Sequence, residues 1–393
     1  MTDVVIASAV RTPLGRFGRA LKDVHAAELG RVVAEEALKR AGLAPDGVDE
    51  VIIGHGRQAG NGPNLARQIG YRAGMPVERP AFTINKACAS GMKAITLAYQ
   101  SIVTGENEIV LAGGVEQMSQ IPYLLMQARW GYRLGSGDLV DAMHRDGYAC
   151  PLAEMMMGRT AEVLVEEYGI SREEQDRFAL NSHRKAVRAR DEGWFDAEMV
   201  PVETPGRKGT TVLVEEDERP RPDTSMEKLA GLRPVFKEGG TVTAGNASGI
   251  TDGAAAVVVM QADRAKALGL RPLARVEAFA SAGVDPTRMG MGPVPATRRV
   301  LAQTRLTLDD MDLIELNEAF AAQALAVERE LDWDVERRNV HGGAVALGHP
   351  TGCTGTRIVV TLLHAMRQRD AEIGLATLCV SGGLGMALVV RRV

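Results

Sequence analysis

Cysteine is scarce in this 393-residue sequence, which contains four: Cys88, Cys150, Cys353 and Cys379. They are scattered along the chain, and none belongs to a Cys-x-x-Cys pair. Disulfide frameworks and structural zinc sites need more cysteines at closer and more regular spacing. The sequence therefore predicts neither a structural disulfide nor a bound metal.

Long apolar runs and an excess of one charge are also missing. No stretch reaches the roughly 18 uninterrupted apolar residues that a membrane span requires. The formal net charge is −4, and 24% of the residues are charged, which is typical of a soluble globular protein. Because the first residues show no basic and apolar signal pattern, we expect a cytoplasmic protein without nucleic-acid or membrane partners.

The chain is long enough for two or three packed units. Strands rich in Val and Ile alternate with helices at both ends, whereas the middle is richer in Met, Arg, Glu, Gly and Pro. We predict an α/β protein with an N-terminal half at 1–118, completed by 247–270. An inserted loop domain at 119–246 and a C-terminal half at 271–393 complete the predicted organisation.

The two halves repeat one order of elements, which is helix, strand, helix and glycine-terminated strand. These elements are predicted at 27–41, 48–53, 88–102 and 109–114, and again at 296–304, 311–315, 354–368 and 374–379. A repeat of this size indicates two homologous α/β halves with mixed, largely buried sheets in layers. A duplicated fold is expected to place a shared site where its halves meet.

Cys88 lies at the turn into a predicted helix whose first residues are small. A thiol there interacts with the positive end of the helix dipole, which lowers its pKa toward the roughly 3.5–7.5 range of reactive cysteines. The alternative is a buried small side chain at a strand-to-helix turn, which is the usual state of an isolated free cysteine.

Residues 339–357 read NVHGGAVALGHPTGCTGTR and place His349 before Pro350 in a glycine-rich loop. Glycine lets backbone and ligand approach closely, and a histidine there can take the proton of a cysteine nucleophile. A lone histidine in such a loop is more often structural. His341 lacks the Gly-x-Pro setting and is predicted to be structural.

Two further positions follow predicted strands. Cys379 ends an apolar strand before a glycine turn, where open α/β sheets place their ligands. Asn317 is predicted to begin a helix after a strand, so its amide either holds an oxyanion, directly or through water, or caps the helix. Neither residue is decisive alone.

The segments NKACASGMKA, NEAFAAQ, GGAVALGHPTGCTG and CVSGGLGMA resemble the four catalytic segments of the thiolase family, in the same order. TVTAGNASGITDGAAA at 241–256 is similar to a fifth, and the resemblance covers essentially the whole chain. It implies a duplicated thiolase-type fold and an acyltransferase. The expected reactions are condensation of two acetyl-CoA to acetoacetyl-CoA and thiolysis of 3-ketoacyl-CoA.

The resemblance also implies catalytic roles. Cys88 would carry the acyl group, His349 would activate it and donate to an oxyanion, and Cys379 would be the acid/base for carbon. Asn317 would hold an oxyanion-stabilising water. The backbone N–H groups of Cys88 and Ser381 would form the second oxyanion hole, although many thiolases have glycine at the position of Ser381.

The implied substrates are acetyl-CoA, acyl-CoA and CoA, with no covalently bound cofactor and no metal. Ser248 would contact pantetheine, and Phe320 and Met157 would contact substrate. Met157, at a position that is His in some acetoacetyl-CoA thiolases, is as well explained by core packing. Arg221 is favoured over Arg219 for the nucleotide, since Arg stacks and pairs with phosphate.

Long apolar segments and the resemblance together imply a homotetramer, a dimer of dimers. The main alternative is a condensing enzyme of the same duplicated fold that extends a carrier-bound chain or makes hydroxymethylglutaryl-CoA. Such enzymes lack the second cysteine and the Asn-Glu-Ala-Phe segment. An inactive thiolase-like scaffold is the other alternative, and the full set of catalytic residues counts against it. Chain-length preference and physiological direction stay open.

Overall fold

The structure is a computed structural model that describes residues 2–393, apart from the side chain of Arg207. Its strands are β1 (Val4–Arg11), β2 (Gly15–Arg16), β3 (Glu50–Gly54), β4 (Ala81–Ile84), β5 (Ile109–Glu116), β6 (Tyr123–Leu124), β7 (Val140–Asp141), β8 (Ala149–Cys150), β9 (Met155–Met156), β10 (Val202–Pro205), β11 (Thr211–Val214), β12 (Thr251–Gln261), β13 (Ala274–Gly283), β14 (Leu313–Leu316), β15 (Ile373–Val380) and β16 (Leu384–Arg392).

The α-helices share apolar faces that cover the sheet or pack against one another. They are α1 (Ala26–Arg40), α2 (Leu65–Arg72), α3 (Ser90–Val103), α4 (Met157–Tyr168), α5 (Arg172–Asp191), α6 (Met226–Ala230), α7 (Ala262–Ala267), α8 (Pro293–Thr304), α9 (Ala321–Leu331), α10 (Ala344–Leu347) and α11 (Thr351–Gln368).

The predicted duplication is visible in the strand order. The main mixed sheet runs β14-β15-β16-β13-β1-β12-β5-β3-β4. In the N-terminal half, β3 pairs with β5 in parallel, and β5, β12 and β1 follow in antiparallel pairs. In the C-terminal half, β14, β15, β16 and β13 repeat that order and those orientations. The two halves join where β1 meets β13, which pair only at Val5–Arg275 and Ile6–Ala274.

Helices α3 and α11, one from each half, pack against each other in the main core. That core also takes buried side chains from strands of both halves. Glycines make the contact close, because a Cβ at Gly91 would lie 2.5 Å from Thr356 Oγ1 and one at Gly355 would lie 2.4 Å from the Met92 nitrogen. Residues from Thr351 to Met366 are all buried. This helix pair brings the turn before α3 and the loop before α11 to the same end of the molecule.

The middle of the chain leaves the sheet after β5 and returns at β12. These two strands are neighbours, and Glu116 at the end of β5 pairs with Gly253 near the start of β12. The segment carries the helices α4 and α5 and the hairpin β10–β11. The sequence analysis did not predict this hairpin.

A buried ion-pair cluster fixes this middle segment to the first strand. The fully buried Arg11 of β1 donates to Glu198 Oε1 at 2.5 Å and to both carboxylate oxygens of Asp217 at 2.7 and 2.9 Å. An arginine without such partners would be strongly destabilising at that position. The middle segment is therefore part of the folded body, held by charges from two of its loops.

Candidate active site

One cavity of about 510 Å³ lies where the two halves meet the middle segment. Seven of the residues proposed from the sequence line it, and they are Cys88, Met157, Ser248, Phe320, His349, Cys379 and Ser381. They come from the turn before α3, the start of α4, the loops before β12 and α9, the loop before α11, and the end of β15. The fold therefore brings together residues separated by almost three hundred positions.

Cys88 lies in a one-turn 3-10 helix, Ala87–Ala89, directly before α3. The preceding Ala87 has φ 45°, in the left-handed region that a residue with a side chain rarely adopts. Ser90 stabilises the turn, because its Oγ accepts from the Lys86 N–H at 2.8 Å and donates to the Ala87 carbonyl at 2.7 Å. The backbone N–H groups of Cys88 and Ser381 lie near enough to the Cys88 thiol to lower its pKa.

The predicted lowering of the Cys88 pKa is not what the structure gives. Burial raises the pKa of this thiol above its ordinary value, and Arg57 and the two N–H groups offset only part of that increase. The physical reason is that a thiolate loses more hydration in this cavity than it gains from the helix end. Cys88 therefore depends on a base to remove its proton.

His349 has the properties of such a base. Its Nδ1 lies 2.6 Å from Thr354 Oγ1, and that hydroxyl donates to the Pro350 carbonyl at 2.9 Å. Thr354 must then accept a hydrogen from Nδ1, so the lone pair is on Nε2. Burial, helped by the charges of Arg357 and Arg57, lowers the pKa of His349 to about 3. The imidazole is neutral near pH 7, so the Nε2 lone pair is available, and burial makes this imidazole a weaker base than a free one.

Cys379 lies near the end of β15, opposite Gly385 of β16. It is fully buried, and burial together with the neighbouring Cys88 raises its pKa far above the ordinary thiol value. A thiol of this kind binds its proton tightly, so it can give that proton to a carbanion in thiolysis, and its thiolate is a strong base toward carbon in the direction of condensation. The two cysteines therefore face one cavity with unequal tendencies to ionise.

Asn317 is buried in the loop after β14 and is not among the residues that line the cavity, although Ala319 and Phe320 of the same loop are. The expectation that it begins a helix is wrong, because α9 starts at Ala321 with Phe320 in the capping position. Its backbone N–H donates to the Thr377 carbonyl at 3.0 Å, while neither atom of its side-chain amide has a partner among the described residues. Buried amides are normally paired, so this one is available for a water or a substrate oxygen.

Ser381 occupies the turn between β15 and β16. The two residues after it, Gly382 and Gly383, have φ of 86° and 82°, whereas Ser381 is outside the left-handed region. In this turn only glycines adopt positive φ, so the side chain of Ser381 causes no backbone strain. The sequence analysis assigns its N–H to an oxyanion hole, and that role stays a prediction.

A buried carboxylate beneath the site was missed from the sequence. Glu116 accepts from the N–H groups of Gly56, Arg57 and Gly352 at 3.1, 3.0 and 2.7 Å and pairs with His55 at 3.0 Å. Although burial opposes it, these partners lower the pKa of Glu116 below its ordinary value. The carboxylate thus joins the loop after β3 to the first turn of α11, which follows His349.

The loop after β3 also brings Arg57 into the cavity beside Cys88, which no pattern in the sequence had indicated. Arg57 Nη2 donates to the Gly147 carbonyl of the middle segment at 2.9 Å, ninety residues away. Tyr148, next to Gly147, lines the same part of the cavity. Contacts between such distant loops leave no local signal in a sequence.

Apolar side chains form much of the remaining wall. Met157 lines the cavity and also belongs to a buried cluster with Phe320 and Cys379. Its side chain is therefore both part of the core and part of the cavity wall, the two alternatives given by the sequence. Phe320 makes an edge contact with Phe236 at a centroid distance of 6.0 Å. Ser248 is fixed by its backbone N–H, which donates to the Ala319 carbonyl at 3.0 Å.

The two arginines of the Pro-rich loop are placed opposite to expectation. Arg219 lines the cavity, and its guanidinium covers Gly249, where a Cβ would lie 1.9 Å from Cζ. Arg221 lies at a separate surface depression with Arg184, and its backbone N–H donates to His183. Because Gly249 has no side chain, there is room for the Arg219 guanidinium. The prediction that Arg221, rather than Arg219, lies at this cavity is therefore wrong.

Within residues 2–393, no group of three or more His, Cys, Asp or Glu side chains is arranged to hold a metal ion. The same part of the chain contains no helix with the length and apolarity needed to cross a membrane.

Comparison with known proteins gives a consistent set of matches. Residues 4–263 match a family model described as "Thiolase, N-terminal domain", and residues 270–392 match one described as "Thiolase, C-terminal domain". A "Probable acetyl-CoA acyltransferase" of Staphylococcus aureus strain MSSA476 is 55% identical over 392 residues, covering 100% of both chains. An "Acetyl-CoA acetyltransferase" of Cupriavidus necator is 54% identical over the same length, with the same coverage.

Solved structures agree with these sequence matches. A crystal structure of the Bacillus anthracis acetyl-CoA acetyltransferase superposes with a TM-score of 0.98 at 50% identity, covering 100% of this chain and 99% of the other. The human mitochondrial 3-ketoacyl-CoA thiolase superposes with a TM-score of 0.97 at 43% identity and the same coverage.

Proposed function

Because the chain belongs to the thiolase family, we propose that it transfers acyl groups between CoA thioesters through an acyl-cysteine on Cys88. The reactions are condensation of two acetyl-CoA to acetoacetyl-CoA and thiolysis of 3-ketoacyl-CoA. The observation that carries the assignment of residues is the meeting of Cys88, His349 and Cys379 at one cavity. A condensing enzyme without the second cysteine and an inactive scaffold do not account for that set.

In the first half-reaction, Nε2 of His349 takes the proton of Cys88, and the sulfur attacks the thioester carbonyl. The N–H groups of Cys88 and Ser381 hold the oxyanion that forms. CoA leaves with a proton returned by His349, and the acyl group remains on Cys88. The raised pKa of Cys88 supports this order, since the thiol needs a base within reach.

In the second half-reaction, another acetyl-CoA occupies the cavity. Cys379 removes a proton from its methyl carbon, and His349 with a water held by Asn317 stabilises the enolate oxygen. The carbon then attacks the acyl-cysteine, which releases Cys88 and forms the 3-ketoacyl-CoA. Loss of one such oxyanion donor typically costs about 2.7–4 kcal/mol of barrier.

We place the pantetheine arm of CoA along Ser248 and Gly249, with Arg16 and Arg219 near its phosphates. Both arginines line the cavity, and neither forms an ion pair within the described residues. Unpaired guanidinium groups suit phosphate, which accepts two parallel hydrogen bonds from arginine. Arg221 supports the nucleotide only if it moves from its present depression.

The test of this function is mass spectrometry of the intact protein after mixing with acetyl-CoA. An increase of one acetyl group, mapped to Cys88 and removed by added CoA, is expected. A correctly folded protein that stays unmodified would eliminate the acyl-enzyme mechanism. Thiolysis rates across acetoacetyl-CoA, 3-ketohexanoyl-CoA and a long 3-ketoacyl-CoA then assign a role in fatty-acid degradation or in synthesis. The cytoplasmic location stays a prediction from sequence.

We also propose a homotetramer. Within the middle segment, Tyr123, Trp130 and Leu134 are 60%, 88% and 98% exposed, which is unusual for large apolar side chains grouped along one loop. Contact between copies of the chain would remove them from water. Light scattering is expected to give a tetramer for the wild type and a smaller species for W130D/L134D. V393D, which changes an exposed residue at the chain end, is the control, and a fully active wild-type monomer contradicts the proposal.

A further inference from the structure

Arg57 places a positive charge in the cavity that the thioester chemistry does not use. Its side chain is half-buried, its Nε is fully buried without a hydrogen-bond partner, and Nη2 donates to a backbone carbonyl. No carboxylate within the described residues lies close enough to its guanidinium to form an ion pair. Leaving the buried Nε of this guanidinium without an acceptor is costly unless a ligand supplies one.

The nearby carboxylate does not neutralise Arg57. Glu116 binds three backbone N–H groups and the ring of His55, and its contact with Arg57 is to the backbone nitrogen. Glu116 and His55 form a pair of their own at 3.0 Å. The positive charge of Arg57 is therefore left to face the cavity.

The position of Arg57 separates it from the proposed CoA phosphate site. Arg57 packs against Gly147, where a Cβ would lie 2.8 Å from its Nε, and its charge acts on Cys88 and Tyr148. Arg219 instead packs against Gly249, beside the pantetheine serine. Arg57 thus lies at the acyl end of the cavity, and a phosphate of the same CoA molecule belongs at the other end.

Tyr148 adds a second donor to that end. It lines the cavity next to Gly147, and its hydroxyl has no hydrogen-bond partner within the described residues. Burial raises the pKa of Tyr148 far above the ordinary value, so the phenol keeps its proton and acts as a donor. A guanidinium and a phenol together match the acceptor oxygens of a carboxylate.

From this geometry we infer that the acyl group carried by Cys88 ends in a carboxylate, which pairs with Arg57 and accepts a hydrogen bond from Tyr148. The substrate class is therefore the CoA thioesters of dicarboxylic acids and their 3-oxo derivatives. The inference rests on the proposed function and specifies its substrate.

The chemistry balances as ordinary thiolysis. The Cys88 sulfur bonds to C3 of the 3-oxo-dicarboxylyl-CoA, and the C2–C3 bond breaks while Cys379 protonates C2 to release acetyl-CoA. The shortened acyl group, still carrying its terminal carboxylate, stays on Cys88. His349, which holds the proton taken from Cys88, returns it to Cys379. CoA then gives its thiol proton to His349 and takes the acyl group as a thioester, and Cys88 leaves with that proton as a thiol.

The test compares two six-carbon 3-oxoacyl-CoA substrates, one with a terminal carboxylate and one with a terminal methyl. The measured quantity is the ratio of their kcat/KM values. A mutation that changes the reactivity of Cys88 alters both values by the same factor and leaves this ratio unchanged. The wild type is expected to favour the carboxylate about 10- to 100-fold, the range for a hydrogen-bonded charge. In R57L that preference is expected to disappear, and in R57K part of it is expected to remain.

R271L is the matched control, because Arg271 is exposed and lies outside the cavity lining. A wild-type ratio of kcat/KM values near one overturns the inference, and so does an equal ratio in the wild type and R57L. If R57L loses kcat/KM equally on both substrates, Arg57 acts on the Cys88 thiolate instead. Acetylation of Cys88 by acetyl-CoA is measured in parallel. Its absence from the wild type would count against the proposed function itself, whereas normal acetylation without carboxylate preference counts only against the role of Arg57.

Discussion

Cys88 and Cys379 share one cavity but differ in their surroundings. Two backbone N–H groups near Cys88 lower the pKa of its thiol, whereas Cys379 lies fully buried at the end of a strand, where burial and the neighbouring Cys88 raise its pKa. An acyl acceptor needs oxyanion donors around it, and a proton carrier needs only a thiol close to carbon. Their variants should therefore fail at different steps.

C88A is expected to form no acyl-enzyme, because no nucleophile remains. C379A should still acetylate Cys88, since His349 is intact, while carbon–carbon bond formation falls by roughly 100- to 10,000-fold, as is typical of lost acid/base catalysis. Acetyl-enzyme should then accumulate in C379A, which intact-protein mass spectrometry can follow. A folded C379A protein without acetylated Cys88 would refute this division of roles.

The pH dependence of Cys88 alkylation gives a second prediction. Because burial raises the pKa of this thiol, its reaction with iodoacetamide should accelerate with pH and show an apparent pKa above about 8.5, the ordinary thiol value. Peptide mapping identifies the modified residue; Cys150 and Cys353 are buried and should react later. A plateau below pH 7.5 would restore the original expectation of a lowered pKa.

Acetyl-CoA supplies the control for that measurement. Acetyl-CoA should slow the alkylation of Cys88 by iodoacetamide and slow the loss of enzyme activity to the same extent. Labelling of Cys353 or Cys150 first, with activity lost at the same rate, would remove Cys88 from its role.

Among the elements, the close contact between α3 and α11 positions Cys88, the proposed nucleophile, against the loop that carries His349. G91A should force these helices apart, because its Cβ would meet Thr356 Oγ1 at 2.5 Å and the Thr356 nitrogen at 2.8 Å. Overpacking of this kind costs about 1–3 kcal/mol. G91A is expected to lower the melting temperature and to reduce acylation of Cys88, measured by calorimetry and mass spectrometry.

G47A is the matched control, since a Cβ there meets nothing within 4 Å. It should leave both measurements close to those of the wild type. If G91A and G47A behaved alike, the helix contact would be looser than described.

Most elements of the two halves could be predicted from local patterns. The helix predicted at 27–41 is observed at Ala26–Arg40, and the strand predicted at 109–114 is observed at Ile109–Glu116. The hairpin β10–β11 was missed because each of its strands has only four residues, which is too short a run to be recognised within a segment rich in Glu, Arg, Gly and Pro. Asn317 was placed at a helix start because a capping residue and a loop residue look alike in sequence.

Some residues of the candidate site could likewise be predicted from local patterns, and others could not. Cys88, His349 and Cys379 lie in glycine-rich turns that carry a recognisable local pattern. Arg57 and Tyr148 meet only because the loop after β3 contacts the middle segment, and such tertiary contacts determine position without marking the sequence. The partners of Glu116 were hidden for the same reason, since they come from both halves.

For the whole molecule, buried neutral histidines set the response to acid. Burial lowers the pKa of His183 and His341 to about 4 and that of His349 to about 3. In the unfolded chain these groups titrate near 6.5, so below that pH the unfolded state binds more protons than the folded state. The stability that each contributes is present above pH 6.5 and is lost as pH falls toward 4.

H341Q tests this response away from the cavity. His341 packs against Trp194 and Phe195, and its shift corresponds to about 3 kcal/mol of stability lost between pH 6.5 and 4. The melting temperature of H341Q should therefore fall less steeply with decreasing pH than that of the wild type. H144Q, which changes an exposed histidine, should keep the wild-type slope; a wild-type slope in H341Q would contradict the account.

The adjacent ends of the middle segment have a consequence for how such a protein diverges. Because β5 and β12 are paired neighbours, loops between them that do not carry Glu198 or Asp217, the partners of Arg11, can be lengthened, shortened or exchanged without altering the register of the sheet. Cys88, His349 and Cys379 lie outside that interval, while Tyr148 and Met157 lie within it. Related proteins can therefore keep Cys88, His349 and Cys379 in the duplicated halves while the loops of the middle segment, and with them the residues around the acyl group, change in length and sequence.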